Sequence, residues 1–79
     1  MPSSLRKRSI RIAGHTTSLS LEEAFWRDLR ALAKKRGTSL NALVAAVDAA
    51  RDGNLSSALR LFVLECYRQG ELPRAEPER

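Results

Sequence analysis

A chain of 79 residues holds one domain at most and buries too small a share of its surface to be comfortably stable alone, so a partner chain is expected. Apolar residues make up 43% of it with only 5% aromatic, which argues against a β-sandwich and for helices packed through Leu, Val and Ala. Fourteen Lys and Arg against nine Asp and Glu favour an anionic partner, and a single cysteine excludes an intrachain disulfide or a multi-thiol metal site.

Residues 1–8, MPSSLRKR, combine Pro, Ser and clustered charge without apolar periodicity and read as a basic flexible arm. Within it Arg6, Lys7 and Arg8 are candidates for tracking phosphates or reaching into a minor groove; the alternative is a solvated tail. In Ser9–Ala13, SIRIA, Ile10 and Ile12 alternate with Arg11 before Gly14 breaks the run. That pattern fits either an extra strand or an extension of the arm, with Arg11 a phosphate contact or a solvated residue.

From Thr16 to Leu21 alternation resumes, with Thr17, Leu19 and Leu21 on one side and Thr16, Ser18 and Ser20 on the other. Ser20-Leu21-Glu22-Glu23 has capping-box spacing and predicts a helix starting there. Phe25, Leu29, Leu32 and Ala33 form its inward stripe, Trp26 packs beside them with its indole N–H near the rim, and Gly37 ends it. Ser39 then caps a second helix, whose Leu40, Leu43, Val44 and Val47 repeat at helical spacing until about Arg51-Asp52-Gly53. Asn54 caps a third, with Leu55, Ala58, Leu59, Phe62 and Cys66 on one stripe and Leu61, Val63 and Leu64 beside it. An apolar arc that wide needs a second neighbour, most simply another subunit. Residues 70–79, GELPRAEPER, read as a disordered tail, leaving 9–69 as the folded domain.

The pattern offers little to catalysis. No nucleophile, base and oxyanion constellation converges, no glycine-rich phosphate loop is present, and the paired carboxylates Glu22 and Glu23 belong to an exposed helical turn. His15 is the only histidine and lacks Cys, Asp or Glu at ligand spacing, so neither metal nor cofactor is expected. Cys66, on an apolar stripe, reads as an inert buried thiol. No apolar run approaches the roughly 18 residues of a membrane span, and no signal-peptide h-region opens the chain, which together with the lone cysteine suggests the cytoplasm.

A strand passing directly into a helix, the Gly37-Thr38-Ser39 turn, and apolar positions at Leu19, Leu21, Phe25, Leu29, Leu32, Leu40 and Val44 resemble the ribbon-helix-helix DNA-binding proteins of prokaryotes. "RSIRIAGHTTSLSLEEAFW" and "GTSLNALVAAVDAARDGNLSSALRLFVLE" are similar to a mostly uncharacterised bacterial subgroup with an added third helix. The resemblance implies a mainly α fold of one short strand and three helices, in an intertwined homodimer whose two strands form an intersubunit antiparallel β-ribbon. That ribbon would lie in the DNA major groove, with Thr16, Ser18 and Ser20 facing the bases and Ser39, Leu40 and Asn41 holding a phosphate at the second helix's start. The groove-facing residues of the family are often longer than Thr and Ser, and Ser20 is asked both to cap a helix and to touch a base. The implied function is sequence-specific transcriptional regulation, as a repressor on nucleoid DNA, by dimers that assemble further on the duplex. Two alternatives stand beside it: an antitoxin-like module that grips another protein through its third helix or tail, and a nonspecific architectural DNA binder.

Overall fold

In a computed structural model, which describes residues 4–72, the chain forms a β-hairpin followed by three helices. The elements are β1 (Leu5–Ile12), β2 (His15–Glu22), α1 (Glu23–Arg36), α2 (Leu40–Ala50) and α3 (Leu55–Arg68). The mainly helical architecture with one antiparallel sheet is that of the ribbon-helix-helix resemblance plus its third helix.

The sheet departs from expectation. A first strand that the resemblance did not include, β1, pairs with β2 of the same chain, from Ile12↔His15 at the tip to Leu5↔Glu22 at the base. Ala13 and Gly14 connect them, both with positive φ, 53° and 83°, which is the signature of a type I′ turn whose twist matches that of the strands. The segment left open at residues 9–13 is therefore a strand through Ile12, and Leu5–Arg8, expected in the flexible arm, form its first half. Residues 1–3 of that arm lie outside the described residues. The intrachain partner satisfies the backbone groups along one edge of β2.

The start of α1 also differs. β2 runs on through Glu22, which is the N-cap residue, and no side chain caps this helix. The amide of Glu23 instead donates to the Ser4 carbonyl at 2.8 Å, continuing the hairpin ladder into the first turn. Ser20, two residues inside the strand, caps nothing. Elsewhere the expected signals hold. Gly37 adopts φ 71° at the end of α1, with Gly37 N–H on Lys34 O and Thr38 N–H on Ala33 O. Ser39 Oγ accepts from the Ala42 amide, and Asn54 Oδ1 from the Ser57 amide, each at 3.0 Å.

Thirteen apolar side chains make one core: Ile10, Leu19 and Leu21 from the hairpin, Trp26, Leu29, Leu32 and Ala33 from α1, Leu43 and Val44 from α2, Leu59, Val63 and Cys66 from α3, and Leu72. Fully burying each of the larger ones stabilises by roughly 1.5–3 kcal/mol. Phe25, expected on the α1 stripe, is only half-buried, and Trp26 takes the central place because the hairpin covers its side of the helix. Rather than staying at the rim, its indole N–H donates to the Arg6 carbonyl of β1 at 2.9 Å.

Past α3 the chain turns at Gly70, φ 78°, with Gly70 N–H on Tyr67 O and Glu71 N–H on Cys66 O. That turn returns Glu71 to the end of α1, where Arg36 grips its carboxylate through two hydrogen bonds (2.5 and 2.6 Å), and it buries Leu72. The opening of the expected tail is thus part of the fold; residues 73–79 lie outside the described residues.

Candidate nucleic-acid interface

Strand parity sorts the hairpin into two faces. Ile10, Ile12, Leu19 and Leu21 point at the helices, and Arg6, Arg8, His15 and Thr17 share their side. Directly opposed pairs Lys7–Ser20, Ser9–Ser18 and Arg11–Thr16 occupy the other side, with Leu5–Glu22 at its base. Lys7, Ser9, Arg11, Thr16 and Ser18 are exposed and Ser20 is half-buried. All three residues expected to face bases therefore lie in one row, and β1 adds a second row alongside it.

The two-residue turn makes Ile12–His15 a closely hydrogen-bonded pair, and alternation makes every outward-facing pair a wide one, whose N–H and C=O groups point to the edges of the ribbon. On the β2 edge one of these has a partner, Ser56 Oγ of α3 donating to the Ser20 carbonyl at 3.3 Å. The Ser20 side chain is left to the outward face. Its conflict between capping and base contact does not arise.

The four cations of β1 separate in the same way. Arg6 and Arg8 belong to the helix side: Arg6 pairs with Glu23 at 3.8 Å, and the Arg8 guanidinium lies 5.6 Å from the centre of the Trp26 ring. Lys7 and Arg11 belong to the outward side. Among the described residues, Lys7, Arg8 and Arg11 make no ion pair, whereas Arg30, Arg36, Arg51 and Arg60 each hold a carboxylate. β1 thus carries three of the unpaired cations, and Arg27, Lys34, Lys35 and Arg68 are others among the described residues.

The N-terminus of α2 lies against the same strand. Arg8, Ser9, Ile10, Ser39, Leu40 and Asn41 line one open cleft of about 360 Å³. The first amides of a helix have no intrahelical partner and carry its positive dipole end, and the first turn of α2 contains no carboxylate to oppose an anion. Two groups of residues separated by about thirty positions in sequence, the basic segment and the Ser39 cap, meet at this cleft. Ser9 is the residue that sequence reasoning misses. Its place two residues from both Lys7 and Arg11 is the signal that points to it, once β1 is known to be a strand.

Three contacts hold this arrangement from below. Arg60 of α3 donates from Nε and Nη2 to the two carboxylate oxygens of Glu22 (2.9 and 3.2 Å), lowering the Glu22 pKa, and lies over the Phe25 ring at 5.8 Å. Tyr67 Oη donates to Asp28 at 3.0 Å, and burial together with that carboxylate raises the phenol's pKa. The Arg36 hydrogen bonds push the Glu71 pKa down to about 2, while burial pushes the Cys66 thiol up.

A short antiparallel sheet followed by three helices is consistent with a ribbon-helix-helix fold that carries an added C-terminal helix. The chain belongs to that family: the Ribbon-helix-helix domain matches residues 5–67, from the first residue of β1 to nearly the end of α3. Domains of this kind generally bind DNA as transcription regulators or serve as antitoxins, usually as dimers, and are typically not enzymes. An uncharacterized protein from Bordetella pertussis Tohama I has a similar structure, with a TM-score of 0.72 and 28% identity over 90% of this chain. This chain spans 64% of that protein's length. No curated protein matches. Among the described residues no helix is long and apolar enough to cross a membrane.

Proposed function

We propose that the chain is a homodimeric, sequence-specific DNA-binding regulator, a repressor acting on nucleoid DNA in the cytoplasm, which inserts its hairpin into the major groove. The observation that carries this reading is the outward hairpin face, which is polar, free of carboxylates from Lys7–Ser20 to Arg11–Thr16, and exposed at all of these residues but the half-buried Ser20. A two-stranded ribbon is about the width that the groove of B-DNA admits. Thr16, Ser18 and Ser20 touch base edges, and Ser39, Leu40 and Asn41 with Arg8 hold a phosphate that fixes the register. Arg6 adds to the positive field, and Lys7 and Arg11, directly opposite Ser20 and Thr16, are within reach of the phosphates beside the groove. Each subunit brings a complete ribbon. A second copy covers the apolar groove between α2 and α3, where Leu61 is 65% exposed, together with Leu64, 46% exposed, elsewhere on α3, and further dimers line up along the duplex.

Titrating the protein onto the DNA upstream of its own coding sequence and onto shuffled DNA, across a salt series, tests this. Preference for the native sequence that survives rising salt is expected, with affinity falling steeply for both as counterions compete. Equal, salt-sensitive binding to the two would replace the regulator with an architectural binder. Ser39→Asp isolates the phosphate contact: Asp caps a helix as well as Ser does, so stability holds, but its charge repels the backbone and weakens all sequences alike. Thr16→Ala and Ser18→Ala are expected to shift preference among sequences, by about fivefold each for the loss of one net hydrogen bond.

A protein-interaction module is the second reading, favoured by the same α2–α3 groove, a cavity of about 430 Å³ lined largely by Leu43, Ala46, Val47, Ala58, Leu61 and Phe62. Stoichiometric co-purification of a different protein, with no retention of DNA at low salt, is its expected outcome.

A further inference from the structure

Helical spacing sorts the charges of α1 much as strand parity sorts those of the hairpin. We infer that Arg27, Arg30 and Lys34, in one row along α1, form a second nucleic-acid surface, which holds the phosphate backbone of a separate duplex and joins it to the DNA already bound. The inference goes beyond the DNA-binding reading above and rests on it only for the first duplex.

α1 presents two flanks. One is taken up by α3 and the turn that follows it: Arg60 lies over the Phe25 ring at 5.8 Å, Tyr67 Oη donates to Asp28 at 3.0 Å, and Glu71 accepts from Lys35 Nζ at its carbonyl and from Arg36 at its carboxylate. The other flank has no such cover. Arg27, Arg30 and Lys34 stand at i, i+3 and i+7, which puts them on one side of the helix, and all three are exposed. Among the described residues Arg27 and Lys34 make no ion pair. Arg30 reaches Glu23 at 3.4 Å, but Arg6 approaches the same carboxylate at 3.8 Å. Four cations against one carboxylate leave this strip a surplus of three positive charges.

The surroundings of the row select its occupant. Its exposed neighbours Ala24 and Ala31 are too short to form a pocket, so the cations stand clear of the surface. A helix lying on a membrane buries an apolar face, and a protein interface centres on aromatic or aliphatic anchors. Among the described residues the exposed large apolar side chains are Leu5, Leu61 and Leu64, none of them on α1, and Trp26 is fully buried. A phosphate backbone asks for no apolar anchor. It needs cations spaced along a line, and it releases counterions when they arrive. From Arg27 to Lys34 the helix rises about 10 Å, the axial rise of about three nucleotides of one strand. Position makes the duplex a separate one. α1 packs beneath the inward residues Ile10, Leu19 and Leu21, whereas Ser9, Arg11, Thr16 and Ser18 leave from the opposite side of the sheet. DNA lying on that outward face has the sheet between itself and α1.

A capture assay with the full chain tests the inference. The upstream duplex is tethered to beads, loaded with protein and washed, and a labelled duplex of unrelated sequence is then offered across a salt series. The wild-type chain is compared with Arg27→Gln, Lys34→Gln, the two combined, and Arg68→Gln, which removes the same charge from an exposed position of α3. The wild-type chain should capture the labelled duplex, and lose it steeply as salt rises. Each single α1 variant should lower the salt exponent of capture by about one. The combined variant should lose capture at physiological salt while still holding the tethered duplex, and Arg68→Gln should behave as the wild type. The inference is overturned if the wild-type chain holds the tethered duplex but captures nothing, if the combined variant captures equally well, or if Arg68→Gln loses as much as Arg27→Gln. Equal weakening of both duplexes by the combined variant would lay the row on the first duplex and overturn it too. A wild-type chain that does not hold the tethered duplex even at low salt overturns the DNA-binding reading, and this inference with it.

Discussion

Ala13 sits at φ 53°, a left-handed conformation that costs an L-residue with a Cβ about 1 kcal/mol and that Asn tolerates better. Ala13→Asn is therefore expected to raise the urea midpoint by an amount equivalent to about 1 kcal/mol, with an unchanged denaturant slope. The same residue explains why the hairpin is hard to read in the sequence. Asn-Gly between alternating segments announces a type I′ turn, but Ala-Gly does not. Ser39 and Asn54 are legible because an N-cap is a local device: a short oxygen meets an amide three residues on, whatever the rest of the chain does. Ser20 has the right spacing for the same role, yet a backbone carbonyl from Ser4 serves the Glu23 amide instead. Local rules fail where a nonlocal partner arrives first.

Among the elements, the three helices are visible from their periodicity, and β2 from its alternation. β1 is half hidden because LRKRSIRI puts Arg6 and Arg8 on the side that faces the helices, where alternation requires apolar residues. Arg8 is accommodated because its planar head rides over the Trp26 ring, and Arg6 because its head reaches Glu23. The segment after α3 misleads for a related reason: Glu71 and Leu72 look like the start of a polar tail, and only the Gly70 turn brings them back to Arg36 and the core. A pH consequence follows for that clamp. Its carboxylate is held at about 2, below the ordinary 4.5, so the stabilisation is complete above about 4.5 and is lost as pH falls toward about 2. Carboxyl NMR titration should find Glu71 ionised well below its ordinary range, and Arg36→Leu should return it upward. An ordinary Glu71 titration in the native chain would rule the clamp out as a contributor to α3 docking.

At the scale of the whole molecule, pairing with β1 covers one edge of β2 and leaves its other edge open. The exposed Leu61 and Leu64 and the α2–α3 groove are further apolar surface for the proposed second copy. Leu61→Glu is expected to convert the proposed dimer to monomer in sedimentation, with the hairpin intact by amide exchange, and to reduce DNA affinity because one half-site is lost. A Leu61→Glu chain that stays dimeric would move the subunit contact elsewhere. Part of the candidate interface is readable from sequence, since alternation already puts Thr16, Ser18 and Ser20 in one row of β2 and the cap rule already puts Ser39 at the start of α2. Which cations join them is not, because it depends on a register that only β1 and β2 together define.

The most direct measurement is amide NMR of the labelled chain during titration with its own upstream duplex. The expected result is perturbation concentrated at residues 7–11, 16–20 and 39–41, the two strands and the α2 cap that form one surface. Perturbation centred on Leu61, Leu64 and the α2–α3 groove, with the hairpin amides unmoved, would contradict DNA reading by the ribbon.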